Sequence, residues 1–364
     1  MTFQPESYGI SIIVCCYNSA LRLNKTLECI ALQKVPDDLK WEVIIVDNNS
    51  TDSTSLIAES EWKKYNLAIP FKIVAEKKQG LSYARKTGVE NAAYSILVFC
   101  DDDNHLKNNY ISHAYEIMQV NSNIGIAGGQ SLPDFETEKP FWFNKFEYAY
   151  AVGKQLQQTG IANQRKYLTG AGIVIRKEIF SILDEIGFTS MLSDRKGNSV
   201  SSGGDSEICL LALFLGYDLY YDEALQFTHF IPPNRLQWRY CVKMITKGFA
   251  YPQIYFAMYD YCFKGVTKNE VLLFNNLYRW NMRRQLRIIR NEFVGFDNFF
   301  KFFLCLFFSR SGNEKEIRVK TAVNKLAYLF KNKIQLAVDF NTILDLSRKI
   351  LQIKNGSSNF MQSK

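Results

Sequence analysis

SILVFCDDDN, residues Ser95–Asn104, joins a six-residue, mostly apolar run to three consecutive aspartates, Asp101, Asp102 and Asp103. A run of that length with β-branched and aromatic members reads as a buried strand. In open α/β sheets ligands bind in the crevice outside the carboxyl ends of the strands, where these carboxylates would fall. Three adjacent carboxylates repel one another unless something cationic neutralises them. A hard divalent ion with oxygen ligands, Mg²⁺ or Mn²⁺, suits such a site, particularly if it also carries substrate phosphates. Taken alone, the same residues also fit a solvated acidic turn capping a helix that begins near Leu106.

The flanking sequence decides between these readings. Ile10–Cys16 (ISIIVCC) and Glu42–Val46 (EVIIV) read as buried strands and Phe71–Ala75 as a third, shorter one. Tyr17-Asn18-Ser19 supplies an N-cap ahead of Leu23, Leu27 and Ile30 at helical spacing. Asp47–Asp52 (DNNSTD) is a cap-rich turn before a second helix, and Gly80–Ala93 reads as another helix. Strands alternating with helices at this pace predict βαβ units and a parallel sheet. Polar residues then fall at the ends of strands 1, 2 and 4, where that architecture places its site.

Downstream, the pattern predicts a strand near Gly125–Gly129 and a glycine-opened strand over Tyr167–Ile175. An apolar helix, Ile208–Leu215, is ended by Gly216. A short strand, Tyr217–Tyr221, and an irregular loop, Thr228–Pro233, follow. The aromatics of residues 131–168 have no clear period and read mainly as core. Beyond Pro233 the chain is helix-like, aromatic and basic, and composition predicts disorder after about Asn355.

A length of 364 residues suits one large domain with an appendage, or two domains. Apolar content of 47% and charged content of 22% are those of a globular protein. No apolar run reaches the roughly 18 residues needed to span a bilayer. The first twenty residues lack a basic start followed by an apolar core, so no signal peptide is expected. Eight cysteines form no C-x-x-C pair and no zinc-spaced Cys/His cluster. They read as reduced, buried thiols, which predicts a cytoplasmic location, peripheral at the inner face of the membrane if the chain touches it. Charge is uneven. Residues 1–235 hold 22 Lys/Arg against 28 Asp/Glu, and residues 236–364 hold 22 against 8, so nets of −6 and +14 make up the chain's +8. The second part therefore suits a polyanionic partner.

Seven elements in order, SIIVCCYN, VIIVDNNSTD, GLSYARKTG, ILVFCDDDN, GAGIVIRK, GGDSEICLLALFLGYDLYYDE and HFIPPNRL, resemble family 2 nucleotide-sugar glycosyltransferases of the GT-A fold, an α/β fold with a mainly parallel central sheet flanked by helices. The resemblance covers about residues 8–240. It implies a catalytic domain over 1–235, with a nucleotide-sugar part at about 8–130 and an acceptor part at about 131–235, followed by a helical, basic region at 236–364. By the same resemblance, Asp47 reads the nucleotide base, normally uracil, and Tyr17 and Asn18 line the nucleotide. Arg85 lies near it, Asp101 and Asp102 belong to its binding loop with Asp101 on the ribose, and Asp103 ligates the metal. Asp205 is the general base, and His229 matches a histidine that also binds metal in some GT-A enzymes.

The sequence departs from the family's pattern in three places. Gly204 stands where Glu usually precedes the base, which leaves Glu207 beside Asp205 as a candidate. Lys86 stands where Asn often follows the arginine. The Q-x-x-R-W motif of processive synthases is missing. A non-processive transferase is implied, inverting and metal-dependent, acting on a UDP-sugar donor and a glycan or lipid-linked acceptor in surface polysaccharide synthesis.

The chemistry agrees with that implication, because displacing a nucleoside diphosphate builds charge that a metal stabilises, while the acceptor hydroxyl needs a base. Two alternatives stay open. Nucleotidyl transfer also uses paired carboxylates and Mg²⁺ but would want a basic, glycine-rich loop after strand 1, which CCYNSALRLN is not. A non-catalytic binding protein of the same fold is the other.

Each site residue also has a bland reading. Asp47 can simply open a turn, Arg85 can be a solvated helix residue, Asp205 can be a helix cap, and His229 can be a packed histidine. In the basic region, Arg279, Arg283, Arg284, Arg287 and Arg290 recur at helical steps beside the aromatic Phe296–Phe308. This pairing is either an interfacial segment on an anionic membrane or a packed helical subdomain. Nucleic acid is not expected as a partner, for want of any recognisable module.

Overall fold

The computed structural model describes residues 7–192, 202–264, 270–293 and 299–361. The described residues form two compact units: those within Met1–Glu138, Tyr150–Asn198 and Gly204–Pro233, and those within Lys139–Ala149, Ser199–Gly203 and Asn234–Lys364.

The first unit is a mixed α/β domain built on one sheet. Its strands are β1 (Ser7–Cys16), β2 (Trp41–Asp47), β3 (Phe71–Ala75), β4 (Tyr94–Asp101), β5 (Asn104–Leu106), β6 (Ile124–Phe135), β7 (Gly160–Ile161), β8 (Ile173–Arg176) and β9 (Asp218–Ile231). Their order is β3-β2-β1-β4-β8-β6-β9-β5, with β7 on β9. The β3-β2-β1-β4 half is parallel. Its strands are connected through the helices α1 (Leu23–Ala31), α2 (Thr54–Lys63) and α3 (Leu81–Asn91). Ile10, Ile12, Ile13 and Val14 of β1, Val43 to Val46 of β2, and Ile96, Leu97 and Val98 of β4 are all fully buried. Strands covered on both faces are written as continuous apolar runs, and each such side chain stabilises the fold by about 1.5–3 kcal/mol.

The other half of the sheet departs from the sequence expectations. No helix begins at Leu106: Asn104–Leu106 is β5, antiparallel to β9, and α4 (Tyr110–Val120) starts after Asn109. The Gly125–Gly129 segment extends to Phe135, because β6 pairs along its length with β9. The segment Tyr167–Ile175 contributes only Ile173–Arg176 as β8, since Gly172 adopts a positive φ of 67° that interrupts an extended strand. Tyr217–Tyr221 and the expected loop at Thr228 are one 14-residue strand, β9, held by β6, β7 and β5. His229 is therefore a strand residue. A four-residue helix, α5 (Phe143–Phe146), belongs to the second unit, while α6 (Lys177–Glu185) and α7 (Gly204–Leu215) complete the first. Among the described residues all eight cysteines are free thiols, six of them buried.

In the second unit Trp142, Phe143 and Phe146 are buried, and Trp142 and Phe146 pack edge-on against Trp238, so these aromatics are core. Phe141 and Tyr148 remain exposed. Its further helices are α8 (Trp238–Lys243), α9 (Pro252–Cys262), α10 (Glu270–Phe293), α11 (Phe299–Phe307), α12 (Glu314–Lys331) and α13 (Lys333–Met361). The last runs through the segment that composition marks as disordered, and residues 362–364 lie outside the described ones. No described helix is long and apolar enough to cross a membrane.

Candidate active site

Register brings the candidate residues to one edge of the sheet. Cys16 of β1 pairs with Asp47 of β2, and Cys15 pairs with Asp101 of β4. Tyr17, Asp47 and Asp101 to Asp103 therefore leave the sheet together, at the carboxyl ends of three parallel strands. On the far side of β4, Phe99 pairs antiparallel with Ile173, so Gly170–Gly172 runs alongside the start of the aspartate triplet. Asn104 pairs with His229, which brings β9 to the same edge.

Hydrogen bonds fix the first two loops to each other. The Asn18 N–H donates to Ser50 Oγ at 3.0 Å, and Asn18 Oδ1 accepts from the Thr51 N–H at 2.8 Å. Asn18 takes a positive φ of 51°, a conformation Asn tolerates better than most residues. It thus acts as a clasp between the loops after β1 and β2. Asp47 Oδ1 accepts from the Ser50 N–H at 3.0 Å and Oδ2 from Ser55 Oγ, leaving further lone pairs on a half-buried carboxylate.

Asn48, which the sequence reading passed over, is buried and ties the turn after β3 to the site. Its Nδ2 donates to Lys78 O at 2.8 Å and its Oδ1 accepts from the Gly80 N–H at 2.7 Å. The Asx-rich turn DNNS was the available signal. Arg85 is half-buried on α3, with its guanidinium 5.7 Å from the Phe99 ring centroid.

The three aspartates are not equivalent. Asp102 is buried and turned back into the protein, where its Oδ2 accepts from Ser19 Oγ and from Arg22 Nη2, the latter at 2.6 Å. Burial and then the neighbouring Asp103 push its carboxyl above the ordinary range, against the pull of Arg22. Asp102, expected in the nucleotide-binding loop, uses Oδ2 to hold Ser19 and Arg22 at the start of α1.

Asp103 faces His229. The Asp103 Oδ1 and His229 Nε2 stand 3.6 Å apart, both residues buried. On the other side of the ring, Nδ1 lies 2.8 Å from the carbonyl of Tyr150. A carbonyl only accepts, so Nδ1 donates to it, and this bond orients the ring with Nε2 toward Asp103. The separation is too long for a hydrogen bond, and both atoms can face one small cation. A carboxylate and an imidazole oriented by a backbone carbonyl are a fitting donor pair for Mg²⁺ or Mn²⁺. Among the described residues no cluster of three or more His, Cys, Asp or Glu side chains completes such a site, so the remaining ligands would come from elsewhere.

Asp205 lies in the first turn of α7, where a carboxylate is favoured by the helix dipole. Its Oδ2 accepts from the Gly170 N–H at 2.7 Å. A Cβ on Gly170 would come within 2.5 Å of that oxygen, so only glycine allows this approach. The bond carries Asp205 to the edge where the triplet lies. Glu207 is different: it is 0% exposed, its Oε1 accepts from the Met191 N–H at 3.0 Å and its Oε2 from Ser190 Oγ. The Cys209 thiol one helical turn on, pushed up to about 12 by burial, feels both Asp205 and Arg85, which puts the arginine within electrostatic range of that helix.

Residues 11–183 match the family described as Glycosyl transferase family 2. Among curated relatives, the glycosyltransferase AglE of Haloferax volcanii is 38% identical over 26% of the chain and 30% of its own length. A poly-β-1,6-N-acetyl-D-glucosamine synthase of Staphylococcus epidermidis is 24% identical over 51% of the chain and 43% of its own length. The chain thus matches less than half the length of either. Among solved structures, S. aureus TarS 1–349 in complex with UDP-GlcNAc superposes with a TM-score of 0.50 at 14% identity, covering 90% of the chain and 92% of that one. That likeness, with the mixed sheet and its parallel β3-β2-β1-β4 half, gives the chain a GT-A fold.

Proposed function

We propose that the protein is a glycosyltransferase that moves one sugar from a UDP-sugar to a hydroxyl of a glycan or lipid-linked acceptor, with inversion and with a divalent metal, in the building of a surface polysaccharide. The observation that carries this reading is the common sheet edge, where Asp47, Asp103 with His229, and Asp205 converge from strands and helices far apart in sequence. The family match favours sugar transfer over nucleotidyl transfer. The donor bound to TarS supports UDP, and the relative named as a poly-N-acetylglucosamine synthase supports a glycan acceptor.

In this reading Asp47 accepts hydrogen bonds from the uracil, Asp101 from the ribose, and Tyr17 and Asn18 shape the wall along the nucleotide. Arg85 adds positive charge near it. Asp103 and His229 hold the metal, which when bound neutralises charge developing on the leaving diphosphate. Asp205 takes the proton of the acceptor hydroxyl as its oxygen attacks the anomeric carbon opposite the diphosphate. The bond from carbon to phosphate oxygen breaks as the new one forms, so the configuration inverts. Glu207 is fully buried, with both carboxylate oxygens accepting from Ser190 and Met191, which favours Asp205 as the base.

Calorimetry with UDP tests the donor side. Binding should require Mn²⁺, weakening at least tenfold after chelation, and UDP should bind at least tenfold more tightly than GDP. Equal affinity after chelation, or for GDP, contradicts the proposed site.

A further inference from the structure

The apolar helix α11 and the residue after it leave several phenylalanines exposed. Phe300, Phe307 and Phe308 are 67%, 66% and 72% exposed, and Phe303 and Leu304 are exposed beside them, while Cys305 faces inward. These five recur at steps of three and four residues, so they share one helix face. A packed subdomain would have covered that face. Contiguous exposed aromatics of this size mark an interaction surface.

The preceding helix carries an exposed basic face. In α10, Leu273, Phe274, Leu277, Asn281 and Gln285 are buried, and the Tyr278 hydroxyl donates to Leu329 O of α12 at 3.2 Å. Near its end, Arg318 of α12 pairs with Glu292 at 2.7 Å. The opposite face is left to solvent and carries the exposed Arg279, Arg283, Arg284, Arg287 and Arg290. Trp280, Leu286 and Phe293 are also exposed there, at the flanks of the arginine row. An outer face that interleaves arginines with a tryptophan, a leucine and a phenylalanine has the composition of a helix lying in a membrane interface.

We propose that α10 and α11 form a docking surface for an anionic lipid bilayer, on which the protein lies peripherally without crossing it. Charge complementarity selects this occupant. The arginines meet acidic headgroups while Phe300, Phe303, Phe307 and Phe308 enter the boundary between headgroups and acyl chains. An acidic protein would satisfy the arginines but leave the phenylalanines in water. The surface is independent of the transfer chemistry and would bring the enzyme to any acceptor displayed on a membrane.

Sedimentation of the full chain with vesicles of phosphatidylcholine, with and without about 30% phosphatidylserine, tests it. Each arginine near an anionic surface contributes about fivefold to the partition coefficient, so Arg283→Gln with Arg287→Gln should weaken binding roughly thirtyfold at low salt. Added salt should weaken the native protein in the same direction. Phe300→Ser with Phe308→Ser should also release it, with thermal melting unchanged because both side chains are exposed. Equal binding to neutral vesicles, or binding that survives both double substitutions, overturns the proposal. So does absence of vesicle binding together with a concentration-dependent dimer, seen by sedimentation velocity, that the phenylalanine substitutions dissociate; the face would then join two copies of the chain.

Discussion

Asp205→Asn is expected to lower turnover by about 10²–10⁴ while UDP-sugar binding stays within a few-fold of normal. Asparagine keeps the size of the side chain and can still accept from the Gly170 N–H through its carbonyl oxygen; it gives up the bond from the Ser206 N–H to Oδ1, a group at the partly exposed start of α7 that water can reach. What it loses is the ability to take a proton. Glu207→Gln should do the reverse. It leaves one neutral amide where the Ser190 hydroxyl and the Met191 N–H both need an acceptor, which should cost about 1–3 kcal/mol of stability. A lower melting temperature with near-normal turnover per folded molecule is the expected outcome. The opposite pattern, with Asp205→Asn active and Glu207→Gln folded but inactive, would move the base two residues along the helix.

Asp103→Ala is expected to fail on the donor side. It removes the carboxylate facing His229 Nε2, so both Mn²⁺-dependent UDP binding and turnover should fall, turnover by at least about 10²-fold, because several kcal/mol of charge stabilisation go with the metal. Asp102→Asn is the informative neighbour. Its carboxylate is bonded by Ser19 and Arg22, so the substitution should cost stability by leaving Arg22 half-buried without its counter-ion, yet keep the metal dependence. Calorimetry with Mn²⁺ and UDP on the two variants separates the roles; equal loss of metal-dependent binding in both would mean that the triplet acts as a unit.

How much of this was legible depends on how local each cause is. The strands β1, β2 and β4 were readable because burial on both faces writes an unbroken apolar run, and Asp47 and the aspartate triplet were readable because they end such runs. Strand β9 was not. Its buried residues Leu225, Phe227, His229 and Ile231 alternate with more exposed ones, and the polar Asp222, Glu223 and Gln226 interrupt it, so its extended form depends on pairing with β6 and β5. The same distance hid the division of labour among the aspartates. Asp102 is claimed by Arg22, 80 residues earlier, and His229 is oriented by the carbonyl of Tyr150, 79 residues earlier. Neither partner leaves a trace in the local pattern. The choice between Asp205 and Glu207 likewise rests on burial and on Gly170, Ser190 and Met191, which no spacing within GGDSE encodes.

The central claim, a single displacement assisted by one base, is tested most directly by the configuration of the product. Proton NMR can follow an α-linked UDP-hexose as the enzyme hydrolyses it slowly in the presence of Mn²⁺, with water taking the acceptor's place. The β-anomer of the free sugar is expected to appear first and to equilibrate afterwards. First appearance of the α-anomer would mean retention, and would contradict both the displacement and the role given to Asp205.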